Sequence, residues 1–181
     1  MSEATNMRWW EDQDHPQVGP EPRAQHEWDR AYLRIAGQMA QMSKCASRQI
    51  AAVIVVDNRI VAAGYNGAPP GVDLCQRRDA ECPRQTLGLP SGQRLDLCPA
   101  VHAEVNAIAT AARTGTPIAG GTMYAYCTVP CATCAGAIIA AGIKRVVCLT
   151  EPIYHDLSVP MFGMAGVLMN CYSRERVDGG E

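Results

Sequence analysis

Apolar residues in the first part of the chain follow two different periods. Between residues 26 and 44 they recur at helical spacing, which predicts a first helix over that range. Residues 50–56 are apolar at every position, so we expect a strand that is buried on both faces. A turn at Asp57-Asn58-Arg59 and a second apolar run over residues 60–64 complete a predicted hairpin.

The second part of the chain alternates between helical and strand patterns. The pattern predicts helices over residues 101–114, 131–141 and about 160–165, and strands over residues 121–127, 145–150 and about 167–172. Strands and helices that alternate after a hairpin favour one mixed sheet with helices on both faces. The predicted fold class is therefore α/β, arranged as a three-layer α/β/α domain.

Two segments lack such periodicity. Residues 1–24 are polar and carry three closely spaced prolines, so we expect a flexible N-terminal arm before a single domain over residues 25–175. Residues 65–100 hold four glycines, five prolines and three cysteines, and they are too many for a plain loop in a compact domain. Some additional interaction is expected to organise this second segment.

Composition excludes several classes of protein. The length of 181 residues is typical of one domain, and a net charge of −2 argues against a nucleic-acid binder. Because no apolar stretch is long enough to span a membrane and no signal sequence is evident, we expect a cytoplasmic protein. In that reducing compartment the nine cysteines are expected to bind metal or to be buried. We expect Cys127, Cys148 and Cys171 to be buried core residues.

The residues with the clearest chemistry are His102-Ala103-Glu104 and Pro130-Cys131-Ala132-Thr133-Cys134. One imidazole and two thiolates give Zn²⁺ three protein ligands and leave a fourth position for water, which is typical of a catalytic site. Glu104 is then free to transfer protons, as hydrolytic deamination of a nucleobase requires. A redox pair or half of a zinc ribbon would explain the two cysteines but not the histidine, the glutamate and the proline.

Helical geometry restricts where this metal can lie. His102 and Glu104 would point about 200° apart on an ideal helix, so both can serve one metal only at the N-terminal end of the helix. The proline before Cys131 fits the first turn of a second helix, whose free N–H groups favour thiolates. We therefore expect two helix N-termini to face each other across the metal.

With these residues in place, the chain resembles the deoxycytidylate (dCMP) deaminase family of the cytidine deaminase superfamily. Beyond the metal motif, the similar segments are Ser43-Lys44-Cys45-Ala46-Ser47-Arg48, residues 64–71 (Gly-Tyr-Asn-Gly-Ala-Pro-Pro-Gly), and Asn106-Ala107-Ile108. The resemblance implies a mixed five-stranded sheet and hydrolysis of dCMP to dUMP and ammonia. It also implies a homohexamer that dCTP activates and dTTP inhibits, with Mg²⁺ accompanying a triphosphate effector.

The resemblance assigns roles to individual residues. His102, Cys131 and Cys134 would bind the catalytic zinc and Glu104 would be the proton shuttle. The expected substrate or effector contacts are Lys44, Arg48, Asn66, Gly67, Asn106 and Tyr154. For Lys44 and Arg48 a solvated surface position remains an equal alternative, and His155 is either a phosphate contact or a loop residue.

The resemblance also implies a second metal site in the aperiodic segment. Cys45, Cys75, Cys82 and Cys98 would bind a structural zinc, with Cys98 four residues before His102. A closed site of four thiolates would supply the organising energy that residues 65–100 otherwise lack. The alternative to a structural zinc is that these four cysteines are buried thiols that share no metal.

Two features depart from the family pattern. The stretch from Tyr124 to Cys131 contains one more residue than usual, so we expect a bulge near Tyr126 or Cys127. Residues 151–166 resemble a shortened lid over the substrate phosphate.

Two other functions are alternatives to dCMP deamination. The protein could be a deaminase of dCTP or C5-substituted dCMP, or a nucleotide-sensing homologue. Arg113 should lie far from the zinc, either as a helix C-terminal cation or at contacts between subunits.

Overall fold

The computed structural model describes residues 23–73, 75, 81–90, 93–150 and 157–179. These residues form six helices: α1 (Arg23–Ala40), α2 (Pro83–Thr86), α3 (Ala103–Thr114), α4 (Ala132–Ala140), α5 (Ser158–Met164) and α6 (Arg174–Asp178). They also form five strands: β1 (Ala51–Val56), β2 (Arg59–Tyr65), β3 (Thr122–Ala125), β4 (Arg145–Leu149) and β5 (Leu168–Tyr172). None of the helices in these ranges is long and apolar enough to cross a membrane.

The strands make one mixed sheet in the order β2-β1-β3-β4-β5. Strand β1 is antiparallel to both β2 and β3, whereas β3, β4 and β5 run parallel to one another. The sheet therefore changes from an antiparallel to a parallel half at β3. This arrangement confirms the predicted mixed α/β sheet of five strands.

Helices cover both faces of the sheet. On one face α3, α4 and α5 pack against the sheet through Ala107, Ile138 and Phe162, which are at most 1% exposed. On the other face α1 and α6 pack against it through Leu33, Ala36 and Val177, which are fully buried. The predicted three-layer α/β/α architecture is thus confirmed.

The hairpin that begins the sheet also follows the prediction. Ala51 to Ile54 of β1 are fully buried, as expected for a strand covered on both faces. Asp57 and Asn58 both have positive φ, 49° and 57°, which allows a two-residue turn between β1 and β2. The prediction was wrong about Arg59, which is the first residue of β2 and not part of the turn.

Several predicted boundaries need correction. Helix α1 begins at Arg23, inside the predicted arm, and ends at Ala40 instead of residue 44 because residues 41–43 bond three residues back and tighten the last turn. Helix α6 was not predicted at all, and the hydroxyl of Ser173 caps it by accepting a bond from the Arg176 N–H. The rest of the predicted arm, residues 1–22, lies outside the described residues.

A buried polar cluster around Asp29 ties α1 to the sheet. The Arg145 guanidinium donates to both carboxylate oxygens of Asp29 at 2.7 and 2.6 Å, and the hydroxyls of Tyr124 and Tyr172 donate to the same carboxylate. Burial alone would raise the pKa of Asp29, but the bonds from Arg145, Tyr172 and Gln25 outweigh burial and lower it. One ionised carboxylate therefore links α1 to β3, β4 and β5.

Candidate active site

The predicted metal ligands lie at the N-termini of two helices. His102 is the N-cap residue of α3, Cys131 is the N-cap residue of α4, and Cys134 follows in the first turn of α4. The two helix N-termini therefore meet at the site, as predicted from the spacing of the motif. Pro130 was predicted in the first turn of α4, but it precedes the N-cap residue and lies outside the helix.

The three side chains are close enough to share one metal ion. His102 Nδ1 lies 3.3 Å from Cys134 Sγ and 3.6 Å from Cys131 Sγ. Within the described ranges these three residues form a group whose ligand atoms all lie within 4.8 Å of one another. Tetrahedral zinc with ordinary Zn–N and Zn–S bonds would place nitrogen and sulfur about 3.6 Å apart. The donor set and its spacing therefore fit Zn²⁺.

The protonation of the thiols also favours a cation at this point. The hydrogen bond from Cys134, together with that from His102, lowers the pKa of Cys131 to about 3 even though burial opposes this. The same contact with Cys131, together with burial, raises the pKa of Cys134. The contact thus favours the thiolate at Cys131 and the thiol at Cys134, and a divalent cation would allow both to ionise.

Glu104 lies in the first turn of α3 and is only 4% exposed. Burial raises the pKa of its carboxyl above the ordinary value, against the opposing effects of its own backbone N–H and of His102. Glu104 lines the same cleft as His102 and Cys131. A buried carboxyl beside a three-ligand metal site is suited to move protons during a reaction.

The position of α3 depends on a close approach to β2 at Gly64. A Cβ atom on Gly64 would lie 2.3 Å from the Ala107 nitrogen and 2.7 Å from the Ala103 carbonyl oxygen, so the helix backbone rests directly on this glycine. Asn106 Nδ2 donates to the Tyr65 carbonyl at 2.8 Å and strengthens the same contact. The end of β2 therefore fixes the helix that carries His102 and Glu104.

The structure gives three of the predicted nucleotide contacts roles in the scaffold. Asn106 binds the backbone of β2, as described above, and Gly67 pairs with Val101 beside the start of α3. Asn66 lines the cleft, but its side chain accepts from the Ile50 N–H and donates to the Arg48 carbonyl, both at 2.9 Å. Sequence reasoning did not anticipate these backbone contacts.

The cleft beside the metal site has a volume of about 130 Å³. Of the two predicted cationic contacts, Arg48 lines this cleft, whereas the exposed Lys44 is not among the lining residues. The lining also includes Ser47, Thr128 and Arg84, none of which sequence reasoning identified as a site residue. Arg84 lies in the aperiodic segment, where no repeating pattern could show that its side chain turns inward.

Three cysteines of the expected second site act electrostatically on the fourth. Burial and then the charges of Cys82, Cys98 and Cys45 raise the pKa of Cys75. Cys82 is the N-cap residue of the short helix α2, and Cys98 follows a 3-10 helix at Leu95–Leu97. Cys45 and Cys98 also line the active-site cleft.

The remaining predicted features have mixed outcomes. In place of a bulge within β3, the strand ends at Ala125 and a tight turn follows, in which the Cys127 N–H donates to the Ala125 carbonyl. Arg113 is exposed in the last turn of α3, at the end opposite His102, as predicted. Tyr154 and His155 lie outside the described residues.

Comparison with known proteins agrees with this geometry. A family model described as "Cytidine and deoxycytidylate deaminase zinc-binding region" matches residues 26–150. The deoxycytidylate deaminase of Mycobacterium phage D29 is 39% identical over 126 residues, which cover 67% of this chain and 93% of the relative. The deoxycytidylate deaminase of Schizosaccharomyces pombe is 35% identical over 151 residues, which cover 83% of this chain but 45% of the longer relative.

A solved structure gives the same fold. The dCMP deaminase from the cyanophage S-TIM5, in complex with dCMP and dUMP, matches with a TM-score of 0.66 and 25% identity. The match covers 86% of this chain and 99% of the phage protein. Since the family model includes both helix N-termini of the site and extends over more than half of the chain, the protein belongs to the cytidine and deoxycytidylate deaminase family.

Proposed function

We propose that this protein is a hydrolase that deaminates dCMP to dUMP and ammonia. The observation that carries the proposal is the buried carboxyl of Glu104, which lines one cleft together with the metal ligands His102 and Cys131. The deoxycytidylate deaminases among the relatives and the nucleotide complex of the S-TIM5 protein support dCMP as the substrate.

Zn²⁺ is the proposed cofactor, held by His102, Cys131 and Cys134. Bound zinc lowers the pKa of a coordinated water toward neutrality and so supplies the nucleophile for hydrolysis. The helix N-termini favour the ionised thiolates, because their free N–H groups and partial positive charge point toward the site. His102 and Cys131 are N-cap residues, so backbone geometry as well as side-chain packing orients them.

Glu104 is the proposed proton shuttle. Its carboxylate accepts the proton of the attacking water and delivers it to N3 of cytosine while the nucleophile adds to C4. The same carboxylate then takes the proton of the new C4 hydroxyl and passes it to the amine, which departs as ammonia while the C4 carbonyl forms, so one side chain serves successive proton transfers. A carboxyl with a pKa above its ordinary value is easier to protonate at neutral pH, which suits the second of these tasks.

A panel of cytosine compounds tests the proposed reaction. Ammonia release is measured from dCMP, dCTP, C5-substituted dCMP and deoxycytidine, with zinc-loaded Glu104→Gln as the inactive control. We expect dCMP to have the highest kcat/KM. Preferential turnover of dCTP, or release of ammonia from none of the four compounds, would contradict the assignment of dCMP as the substrate.

A second, structural zinc is proposed at Cys45, Cys75, Cys82 and Cys98. The effect of Cys82, Cys98 and Cys45 on the pKa of Cys75 supports the proposal, because such charge interactions weaken with distance. Elemental analysis of freshly purified protein should give two zinc ions per chain. Cys82→Ser should lower the unfolding temperature and leave one zinc, whereas Cys131→Ser should first abolish activity; one zinc in the wild type would remove the second site.

Regulation and assembly are proposed from the family resemblance. The protein is expected to form a homohexamer that dCTP activates and dTTP inhibits, with Mg²⁺ bound to the triphosphate. The dCMP saturation curve should then be sigmoidal and become hyperbolic when dCTP is added. Hyperbolic kinetics that neither effector alters would show that this chain lacks the regulation.

A further inference from the structure

Two cysteines outside the metal sites are in sulfur contact at the edge of the sheet. Cys148 of β4 and Cys171 of β5 are paired in the parallel register of these strands, and their Sγ atoms lie 3.3 Å apart. Neither residue is among the expected zinc ligands, and the proposed reaction uses neither thiol. The pair therefore has no role in the function proposed above.

The two cysteines differ in their access to solvent. Cys148 is fully buried, as predicted, whereas Cys171 was predicted to be buried and is exposed. The reason is that β5 is the last strand in the order of the sheet, so β4 shields its side chains from one side only. All nine cysteines lie in the described ranges, and Cys171 is the only exposed one. A small reagent in solution therefore reaches Cys171 before Cys148.

The backbone of the two strands permits a bond between these sulfurs. Neighbouring strands lie about 4.8 Å apart, and a disulfide requires its Cα atoms to be about 4.4–6.8 Å apart. Paired residues in register also point to the same face of a sheet. Because the Sγ atoms are already in contact, small rotations of the two side chains bring them to bonding distance without a shift of the strands.

The contact also makes the exposed sulfur the better nucleophile. The hydrogen bond from Cys148 lowers the pKa of Cys171 although burial opposes this, and the thiolate is the reactive form of cysteine. The same contact, together with burial, raises the pKa of Cys148. Cysteines that respond to oxidants are typically accessible thiolates beside a second cysteine that can resolve the oxidised sulfur. Cys171 and Cys148 have this arrangement.

We propose that Cys171 and Cys148 are a peroxide-sensitive thiol pair that closes to a disulfide between β5 and β4. The Cys171 thiolate attacks one oxygen of hydrogen peroxide, the O–O bond breaks and hydroxide leaves, so that Cys171 becomes a sulfenic acid. The Cys148 sulfur then attacks the Cys171 sulfur, the S–O bond breaks, and the hydroxyl leaves as water with the proton of Cys148. The electron pair and the protons that the thiols lose reduce the peroxide to water.

The disulfide would close a loop that contains α5. The two cysteines are 23 residues apart in sequence, and α5 lies between them. A crosslink of this span restricts the unfolded chain, so it should raise the unfolding temperature by roughly 5–10 °C in a domain of this size. Disulfides of a reducing compartment are mostly transient, so we expect a thiol reductant to reverse the change.

Peptide mapping of the zinc-loaded protein after treatment with equimolar hydrogen peroxide tests the pair. The expected product is a peptide in which Cys148 and Cys171 are linked within one chain, and dithiothreitol should restore both thiols. The unfolding temperature should rise and fall with this bond. A disulfide with a different cysteine, a link between two chains, or a Cys171 that stays reduced would overturn the proposal.

Single variants separate the order of the two steps from nonspecific oxidation. In Cys148→Ser, or in Cys148→Ala if the serine variant does not fold, Cys171 should stop at a sulfenic acid that dimedone traps. In Cys171→Ser, the buried Cys148 should stay reduced, and peroxide should leave the unfolding temperature unchanged. Oxidation of Cys148 in Cys171→Ser, or an equal rise of the unfolding temperature in that variant, would refute the assigned roles. None of these readouts depends on deaminase activity, so the proposed function and this proposal can fail separately.

Discussion

Substitution of Gly64 by alanine tests how the end of β2 positions the catalytic helix. The added Cβ would meet three backbone atoms of α3, at 2.3 Å from the Ala107 nitrogen and 2.7 Å from both the Ala103 oxygen and the Asn106 carbonyl carbon. Backbone atoms cannot rotate away as a side chain can. The φ angle of Gly64 is not positive, so alanine at this position adds a steric contact and no backbone strain.

The size of the effect follows from these distances. Relief of the shortest contact requires α3 to move from β2 by about 1 Å, and overpacking of this kind costs about 1–3 kcal/mol of unfolding free energy. The same movement displaces His102 and Glu104, which lie at the start of α3. A misplacement of about 1 Å in a catalytic group can cost about 10²-fold in rate, so we expect a loss of that order in kcat/KM for dCMP.

The control is the same substitution in the other helix of the site. Gly136 lies in α4, two residues after Cys134, and its nearest neighbour would be the flexible Met161 Cε at 3.8 Å. Gly136→Ala should therefore keep its activity and gain up to about 1 kcal/mol from helix propensity. Ammonia release and thermal unfolding measure both variants. Wild-type activity and stability in Gly64→Ala, or equal losses in both variants, would refute this account of α3.

Three other substitutions examine the proton shuttle, the buried ion pair and the assembly. Glu104→Gln should retain its zinc by elemental analysis and lose about 10²–10⁴-fold in kcat, and wild-type turnover would refute the shuttle role. Asp29→Asn leaves Arg145 without its partner and should cost about 3–5 kcal/mol at neutral pH. Because the pKa of Asp29 is lowered in the folded state, its stabilisation is present above about pH 4 and is lost as pH falls through the folded pKa. The gap between wild type and Asp29→Asn in urea unfolding should therefore shrink in acid, and a constant gap would exclude the ion pair as its cause. Arg113→Glu should reduce the oligomer or the sigmoidal dCMP response at unchanged zinc content, which light scattering and saturation kinetics would detect.

Local sequence patterns were sufficient for the architecture and for the metal motif. The fully apolar run that became β1 predicted a central strand because a strand buried on both faces needs apolar residues at every position. His102 and Cys131 were each predictable at a helix N-terminus because the chemical residues of each half of the motif lie within a few positions of one another. In both cases the physical constraint acts over a short stretch of chain.

Features that depend on distant contacts were not predictable in the same way. The bonds from the amides of Asn66 and Asn106 to backbone groups were not predicted, because they join segments that are distant in sequence. Arg84 was missed because its inward direction depends on the carbonyls of Pro90 and Gln93 in an aperiodic segment. The early end of α1 depends on packing too, since the Ser43 hydroxyl donates to the Asn66 carbonyl 23 residues later.

The separation of the ligands between two helices has a consequence for biosynthesis. His102 and Cys131 are 29 residues apart, and β3 lies between the helices that carry them. During synthesis, β1, β2 and α3 leave the ribosome first and can pack together, because α3 rests on β2 at Gly64. At that stage the nascent chain holds the imidazole and the carboxyl of the site but neither thiolate. Zinc acquisition at this site must therefore follow translation of α4, so a partly synthesised chain cannot retain the metal there.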